Sequence, residues 1–430
     1  DGSSDSVGTI TLVATKAARS VVFLGGASAF NKGIVVQAAD GVILSESVTT
    51  KNLHTVLYAG TGTLKTLASK SLVTTNQLLT VTADDIDIQG DAVSSGTAIT
   101  TITPVTVGNT IGVGSITSTN MDISGTELQE MTSSGGLTIG SVGVSGSITV
   151  QAVSSTHSGG ITASTTLLAA DDDSTITFAP TASVFHSLAA QADDGVAVQV
   201  DVTATTGSMY LDGDYEDSST EDGTNDVQFA DGVTVAAETV MTLESTTGIV
   251  RPAAKLTLVA GSGVTVLNDM TTTTSNSPLV IDADFESEGD GTLTVWTGKT
   301  VTSNKSDVTI TAWDVDMAGS LTAGTQAISL HGAKVSQTIG IGSGLSQNME
   351  ILDAELGRLT AHSGLTVGAS TTGKIQVNGV TDGSSDSVGT IALVATKAAT
   401  AVSSVTTASS FNKGIVVQAA SGVVLSESVT

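Results

Sequence analysis

The chain has 430 residues, with no cysteine, 47 glycines, 4 prolines and only 3% aromatic residues against 40% hydrophobic residues. The lack of cysteine excludes disulfide staples, and the many β-branched apolar residues exclude a disordered chain. A net charge of −27 argues against nucleic acid as a partner, and the apolar runs are too short for membrane insertion.

Short segments of alternating apolar and polar residues recur along the whole chain. In chain order they include residues 34–36, 56–58, 79–81, 308–310, 328–330 and 375–377. Such alternation predicts β-strands, and the steps of about 20–24 residues between successive segments match one coil of a parallel β-helix. The predicted fold class is all-β: a right-handed parallel β-helix (β-solenoid) with about 20–24 residues per coil.

The beginning of the chain returns near its end. DGSSDSVGTI at residues 1–10 recurs at 382–391, and FNKGIVVQAA at 30–39 recurs at 411–420, both at an offset of 381. Self-similarity at a fixed period is typical of repeat architectures. We therefore predict one continuous β-solenoid over residues 1–430, made of a 381-residue tandem unit (1–381) whose second copy begins at residue 382.

A second repeat lies inside the first. TIGVGS at residues 110–115 matches TIGIGS at 338–343, and the residues after each segment also match at an offset of 228. A shorter relative begins near Phe185. These matches predict sub-modules over residues 30–184, 185–250 and 251–410, with soft boundaries.

The internal repeat also selects structural residues. We predict tight corners, where a Cβ would crowd the next coil, at four glycines: Gly112, Gly114, Gly340 and Gly342. We predict a buried core from paired apolar positions: Ile111, Ile123, Leu128, Leu137, Ile339, Ile351, Leu356 and Leu365.

Residues 338–368 (TIGIG…NMEILDAELGRLTAHSGLTVG) resemble a repeat of the filamentous-haemagglutinin-like proteins, which are giant secreted β-helical adhesins. The matching parts are IGIG at 339–342, the apolar strand 349–351, the Glu355–Leu356 pair and the strand 365–368. The resemblance implies a β-helix and a surface-fibre or adhesive role outside the cell.

Two acidic clusters are the candidate metal sites. Asp212, Asp214 and Glu216 form the first, followed by Glu221 and Asp222, and the second contains Asp282, Asp284 and Glu286. Alternating carboxylates near glycine could offer hard oxygen ligands to Ca²⁺, although the spacing differs from that of an EF-hand. The competing interpretation is that both clusters are solvated acidic turns. We expect no other cofactor.

One sequon, Asn304-Lys305-Ser306, permits N-glycosylation in a eukaryotic secretory pathway. The five histidines are scattered without metal-ligand spacing, so we expect them to be structural or exposed. The chain carries no nucleophile elbow, phosphate-binding loop or dinucleotide fingerprint.

The sequence thus favours a structural section of a giant extracellular protein that forms a stiff acidic surface fibre, stalk or filament. The expected partners are neighbouring copies of the repeat end to end, with lateral self-association or other fibre proteins as further partners. An adhesin or carbohydrate-binding surface protein is the alternative. A polysaccharide-degrading β-helix enzyme and an ice-binding protein are more remote, and we predict no catalytic residues.

Overall fold

The computed structural model describes residues 8–116, 119–218 and 223–430. The first seven residues of the first repeat copy therefore lie outside the described part. The chain divides into two compact units. Unit 1 contains residues 1–226 and 246–248, and unit 2 contains residues 227–245 and 249–430.

Short strands are the main regular elements of unit 1. They are, in chain order, β1 (Ile10–Ala14), β2 (Val21–Phe23), β3 (Ser28–Phe30), β4 (Ile34–Ala38), β5 (Val42–Leu44), β6 (Val48–Thr50), β7 (Thr55–Tyr58), β8 (Thr63–Thr66), β9 (Ser71–Val73), β10 (Leu79–Thr82), β11 (Asp85–Ile88), β12 (Ala92–Gly96), β13 (Thr100–Thr103), β14 (Asn109–Gly114), β15 (Met121–Ser124), β16 (Met131–Ser133), β17 (Leu137–Val142), β18 (Ser145–Gln151), β19 (Ser164–Ala170), β20 (Ile176–Phe178), β21 (Ser183–Phe185), β22 (Ser187–Ala192), β23 (Val196–Val198), β24 (Val202–Ala204) and β25 (Met209–Asp212).

Unit 2 is built in the same way. Its strands are β26 (Val227–Phe229), β27 (Val233–Ala237), β28 (Val240–Glu244), β29 (Val250–Pro252), β30 (Leu256–Ala260), β31 (Gly263–Val266), β32 (Met270–Thr271), β33 (Leu279–Asp282), β34 (Thr292–Val295), β35 (Thr300–Thr302), β36 (Val308–Ala312), β37 (Asp314–Met317), β38 (Ser320–Gly324), β39 (Ala327–Gly332), β40 (Ile339–Gly342), β41 (Met349–Leu352), β42 (Leu359–Ala361), β43 (Gly364–Ala369), β44 (Ile375–Asn378), β45 (Ile391–Ala395), β46 (Val402–Ser404), β47 (Ile415–Ala419) and β48 (Val423–Leu425).

Helical segments are short. They are α1 (Gly125–Gln129), α2 (Ser155–Ser158) and α3 (Asp353–Leu356), with a 3-10 turn at Gly383–Ser385. None of the helices within the described ranges is long and apolar enough to cross a membrane.

Successive strands belong to different parallel sheets in a repeating order. In unit 1 the sheets begin β1-β4-β7-β10-β13, β2-β5-β8-β11 and β3-β6-β9-β12-β16, so each third strand returns to the same sheet. In unit 2 the neighbours include β26-β29-β32-β35-β38-β42 and β27-β30-β33-β36-β39-β43-β45-β47. The protein is therefore all-β with long parallel sheets, as a parallel β-helix requires.

The separation between paired strands follows the insertions in the chain. Ile34 pairs with Ile10, 24 residues earlier, whereas Leu137 pairs with Thr100, 37 residues earlier. The longer step contains β14, β15 and α1. Unit 2 has the same 37-residue step between Ile328 and Leu365, where β40, β41 and α3 are inserted.

Alternate residues of the strands form the core. The eight apolar positions selected from the internal repeat are all at most 1% exposed, which confirms that prediction. In a parallel ladder the six that lie in strands stack on neighbours in the same sheet, whereas Leu128 and Leu356 lie in α1 and α3. Burial of each large apolar side chain contributes about 1.5–3 kcal/mol.

The glycine prediction holds at two of its four positions. Gly114 has a φ of +97°, and a Cβ there would lie 2.0 Å from the carbonyl oxygen of Gln151 on the paired strand β18. Gly342 has the same relation to Asn378, with a φ of +107°. Gly114 and Gly342 are the last residues of β14 and β40, whereas Gly112 and Gly340 lie two residues earlier, inside these strands. Gly112 and Gly340 are therefore not corners, and a Cβ on either would contact the loop that follows the strand.

The second repeat copy reproduces the strand register of the first. Ile10 of β1 lies opposite Ile34 of β4, and Ile391 of β45 lies opposite Ile415 of β47. The pairs β2–β5 and β46–β48 correspond in the same way, shifted by 381 residues. Related sequences thus adopt the same pairings in both units, even where VVF of β2 is replaced by VSS of β46.

A pair of neighbouring residues tests the core assignment. Ile351 is 1% exposed and Leu352 is 44% exposed, both in β41. We expect Ile351→Asp to destabilise the protein by more than about 3 kcal/mol and to split its cooperative unfolding, because a charge would enter the core. Leu352→Asp should cost less than about 1 kcal/mol. Thermal unfolding checks both, and a single unshifted transition for Ile351→Asp would contradict the core assignment.

Candidate functional site

The first acidic cluster closes a turn after β25. Asp212 is buried, and its Oδ1 accepts a hydrogen bond from Asp214 N at 3.1 Å while its Oδ2 accepts one from the Tyr210 hydroxyl at 3.1 Å. Asp214 is also buried, and its Oδ2 accepts from Thr247 N at 2.6 Å. Glu216 is exposed. Two of the three candidate ligands therefore accept hydrogen bonds from donors in this turn, in β25 and in a segment 33 residues further along the chain.

The second cluster repeats the arrangement after β33. Asp282 Oδ1 accepts from Asp284 N at 3.4 Å, and Asp284 Oδ2 accepts from Gly289 N at 3.1 Å. Burial raises the pKa of both Asp282 and Asp284. Desolvation, followed by repulsion from neighbouring carboxylates, raises the pKa of Glu286. Asp282 thus accepts a hydrogen bond from the backbone of Asp284, and Asp284 accepts one from the backbone at the end of the turn.

Both clusters lie in turns, but Asp212, Asp214 and Asp284 are buried, so these turns are not the solvated ones of the competing interpretation. Within residues 8–116, 119–218 and 223–430, no group of three or more His, Cys, Asp or Glu residues is arranged to hold a metal ion. Glu221 and Asp222 lie outside the described residues. Calcium binding stays a prediction.

The sequon lies in a turn after β35. Asn304 Nδ2 donates a hydrogen bond to the Thr273 carbonyl oxygen at 2.8 Å. Ser306 is buried, and its Oγ accepts from Ser277 N at 2.8 Å. Both polar side chains of the sequon thus stabilise neighbouring turns in the folded chain, and glycosylation of Asn304 stays a prediction.

The structure brings together a set of acidic residues that sequence reasoning did not select. In unit 1, β11 and β15 are edge strands of two different sheets. Asp85 Oδ1 on β11 accepts a hydrogen bond from Asp122 N on β15 at 3.2 Å, so the bond joins the two sheet edges. Glu127 Oε1 accepts from Ile88 N at 2.9 Å. These two side chains, the first carboxylate bridge, supply acceptors where the backbone ladder is interrupted.

Unit 2 contains the equivalent second carboxylate bridge, formed by Asp314 and Glu355 between β37 and β41. Asp314 Oδ1 accepts from Glu350 N at 2.9 Å, and Glu355 Oε1 accepts from Met317 N at 3.0 Å. Glu355 Oε2 also accepts from Leu352 N at 2.8 Å. The recurring Glu-Leu pairs in the sequence were the signal for this feature, but they did not reveal the strand edges that the glutamates join.

Burial raises the pKa of all four bridge carboxyl groups, Asp85, Glu127, Asp314 and Glu355. Hydrogen bonds from backbone N–H groups oppose this rise, because they stabilise the ionised form. The rise prevails, so the ionised bridges cost stability near neutral pH.

A cavity of about 690 Å³ opens beside the second bridge. Its lining is mainly polar: Thr292, Asp314, Val315, Asp316, Leu345, Ser346, Gln347, Glu350, Leu352 and Glu355. Four of these residues are acidic, and none is basic. The cavity is therefore a concentration of negative charge on unit 2.

A lysine neutralises a carboxylate beside the first bridge, and the equivalent position beside the second bridge is a threonine. Lys65 lies opposite Asp87 in the β8–β11 pair, and its Nζ forms an ion pair with the Asp87 carboxylate. At the corresponding position in unit 2, Thr294 lies opposite Asp316. One substitution between the two copies thus removes the cation and leaves Asp316 facing a hydroxyl side chain.

His157 and His331 make structural hydrogen bonds, whereas His54 and His362 are exposed. His157 Nδ1 accepts from Ser154 N at 3.3 Å at the start of α2, and His331 Nδ1 lies 3.2 Å from the Gly368 carbonyl oxygen. His157 therefore serves the same capping purpose in α2 as Glu127 serves in α1.

No family model matches the chain, and no curated protein or solved structure matches it either. The likeness to filamentous-haemagglutinin-like repeats consequently depends on the residues of the chain itself.

The carboxylate bridges predict how stability varies with pH. A carboxyl group whose pKa is raised by folding binds protons more readily in the native state, so its destabilising effect is lost as pH falls through the raised native pKa toward the unfolded pKa of about 4. We expect a higher melting temperature at about pH 4.5 than at about pH 7. The double variant Glu127→Gln, Glu355→Gln should flatten this dependence, whereas Glu216→Gln, at an exposed position, should not. A melting temperature that falls on acidification over this range would contradict the assignment.

The difference between Lys65 and Thr294 gives a second prediction. We expect Thr294→Lys to stabilise the protein by about 0.5–1 kcal/mol at pH 7, because the new ammonium would neutralise Asp316 as Lys65 neutralises Asp87. Thr294→Met, which adds length without charge, is the matched control. Denaturant unfolding at low and high salt measures the effect. Equal stability of the two variants at low salt would show that no ion pair forms.

Proposed function

We propose that the chain is a structural section of a giant repetitive extracellular protein, and that it forms part of a stiff acidic surface fibre, stalk or filament. The proposed fold of the section is a closed right-handed β-solenoid. Its coils have about 20–24 residues and lengthen where the extra strands and helices are inserted. Neighbouring copies of the repeat, joined end to end, are the proposed partners.

The continuity of the ladder across the repeat boundary carries this proposal. Residue 382 begins the second copy, yet β45 of that copy pairs directly with β43 of the first, with Leu365 opposite Ile391. Thr381 N donates to Asp353 Oδ1 at 2.8 Å, which attaches the boundary to the first residue of α3. A repeat that joins the next without a linker extends one ladder, as a mechanical element requires.

The surface chemistry supports the same proposal. With 42 acidic residues against 15 basic ones, the chain keeps a strong negative charge at neutral pH. Such a charge favours solubility and opposes unspecific lateral aggregation of exposed strands. The absence of cysteine leaves the hydrogen-bond ladder and the apolar core to stabilise the section.

We propose no enzymatic activity, since near-verbatim copying of a unit serves mechanical length more directly than catalysis. An adhesin is the second candidate. The specific observation in its favour is the acidic cavity beside Asp314 and Glu355. Near it Thr294 lies opposite Asp316, where unit 1 has Lys65 opposite Asp87.

Immunogold electron microscopy of the source cells tests the proposal, with an antibody raised against the 381-residue unit. We expect gold in regular rows along thin surface fibres, at intervals of about 80 Å or multiples of it for coils stacked about 4.8 Å apart. Gold dispersed in the medium, or on a polymer substrate, would contradict the structural role. Pre-immune serum on the same cells is the control.

A further inference from the structure

The acidic cavity beside the second carboxylate bridge has the dimensions of a ligand site. Its volume of about 690 Å³ lies within the range of small-molecule pockets, and all its lining residues belong to unit 2. Besides its four carboxylates, the lining includes apolar surface from Val315, Leu345 and Leu352. The cavity therefore combines negative charge with apolar surface, and no basic side chain lines it.

Asp316 is the carboxylate of this cavity that is open to a ligand. The three other carboxylates each accept a hydrogen bond from a backbone N–H group of the surrounding strands and loop. Asp316 is exposed, and no hydrogen bond or ion pair joins its carboxylate to another residue of the chain as described. A cation that another molecule brings into the cavity can therefore reach this carboxylate without displacing a protein donor.

Unit 1 shows which group binds a carboxylate at this position of the ladder. GTLK at residues 62–65 aligns with GTLT at 291–294, so the two segments differ only in their last residue. In unit 1 that residue is Lys65, whose ammonium forms an ion pair with the Asp87 carboxylate on the paired strand. In unit 2 the threonine of the second segment lies opposite Asp316 in the same register. The carboxylate is retained, but the ammonium that it would bind is not supplied by the neighbouring strand.

The combination of charge and apolar surface favours an alkylammonium ligand over a metal ion. Calcium takes about six to eight oxygen ligands, and the part of the chain that the structure describes contains no group of three or more His, Cys, Asp or Glu residues arranged to hold a metal. A lysine-like chain instead lays its methylene groups on apolar surface and keeps its ammonium near polar groups and water. Leu345 and Leu352 offer that apolar surface in the same cavity as Asp316.

We propose that this cavity binds a primary alkylammonium group, with the ammonium on Asp316 and the alkyl chain against Leu345 and Leu352. The ammonium donates charge-assisted hydrogen bonds to the carboxylate, as the Lys65 ammonium does in unit 1. A lysine side chain of another polypeptide and a free diamine share this chemistry. The inference goes beyond the proposed mechanical role, because a fibre section needs no ligand, and it gives unit 2 a binding site of defined chemical class.

Methyl NMR of the intact chain, labelled at leucine, tests the proposal. Nα-acetyl-lysine amide and putrescine are titrated separately at neutral pH and constant ionic strength. We expect saturable shifts of the Leu345 and Leu352 methyl signals with at least one of the two probes, while the signals of Leu57 and Leu79, buried in unit 1, stay fixed. A response to the lysine derivative alone identifies a protein lysine as the ligand, and a response to putrescine alone identifies a free diamine.

Variants at two positions examine the named contact. Thr294→Lys should abolish the shifts, because the new ammonium would pair with Asp316 as Lys65 pairs with Asp87. Thr294→Met, which adds length without charge, should retain them. Asp316→Asn should weaken binding at least about threefold through loss of the ion pair. Glu216→Gln, at an exposed position of unit 1, should leave binding unchanged.

Several results would overturn the proposal. Equal shifts with the neutral Nα-acetyl-norleucine amide would reveal an apolar site that ignores charge, and equal shifts with calcium chloride would reveal a site for any cation. Absence of shifts with both ammonium probes in the folded protein would refute the site, as would binding that persists unchanged in Thr294→Lys and Asp316→Asn. These results are separable from the fibre proposal, since ligand binding is measured on purified protein and gold labelling is measured on cells.

Discussion

The parallel hydrogen-bond ladder is the constraint on which the rest of this protein depends. Each strand needs a neighbour on both sides to satisfy its backbone groups, and each inward side chain needs an apolar side chain above and below it. A sequence of short alternating segments meets both needs only if each segment returns to the same sheet. This is observed in unit 1, where β4, β5 and β6 pair with β1, β2 and β3 respectively.

Where the ladder is interrupted, carboxylates replace the missing backbone acceptors. Glu127 and Glu355 occupy equivalent places, and each accepts a hydrogen bond from an edge strand that has no backbone partner on that side. The cost is a buried negative charge, which is the physical reason for the raised pKa of both residues. The same carboxylate contact occurs in both units, each time beside the inserted strands and helix. It is therefore a consequence of the insertion.

The two units also show how similar copies diverge in surface chemistry. Lys65 and Thr294 occupy matching positions opposite Asp87 and Asp316. The strand pairing is unaffected by the change, because both side chains project outward from the sheet. The core thus preserves the pairing, while the outward residues are free to alter charge.

The sequence by itself determined the all-β class, the alternation of core and surface positions and the two repeat offsets, since these depend on residue spacing along one strand or between identical segments. It placed Ile351 and Leu128 in the core for that reason. Only the tertiary structure decided that Gly112 lies within a strand, that Asp212 and Asp282 cap turns, and that Asp85 and Glu127 join two sheet edges. The contacts of Asp85 and Glu127 connect residues 37 and 39 positions apart, and no local pattern encodes which strand edge meets which carboxylate.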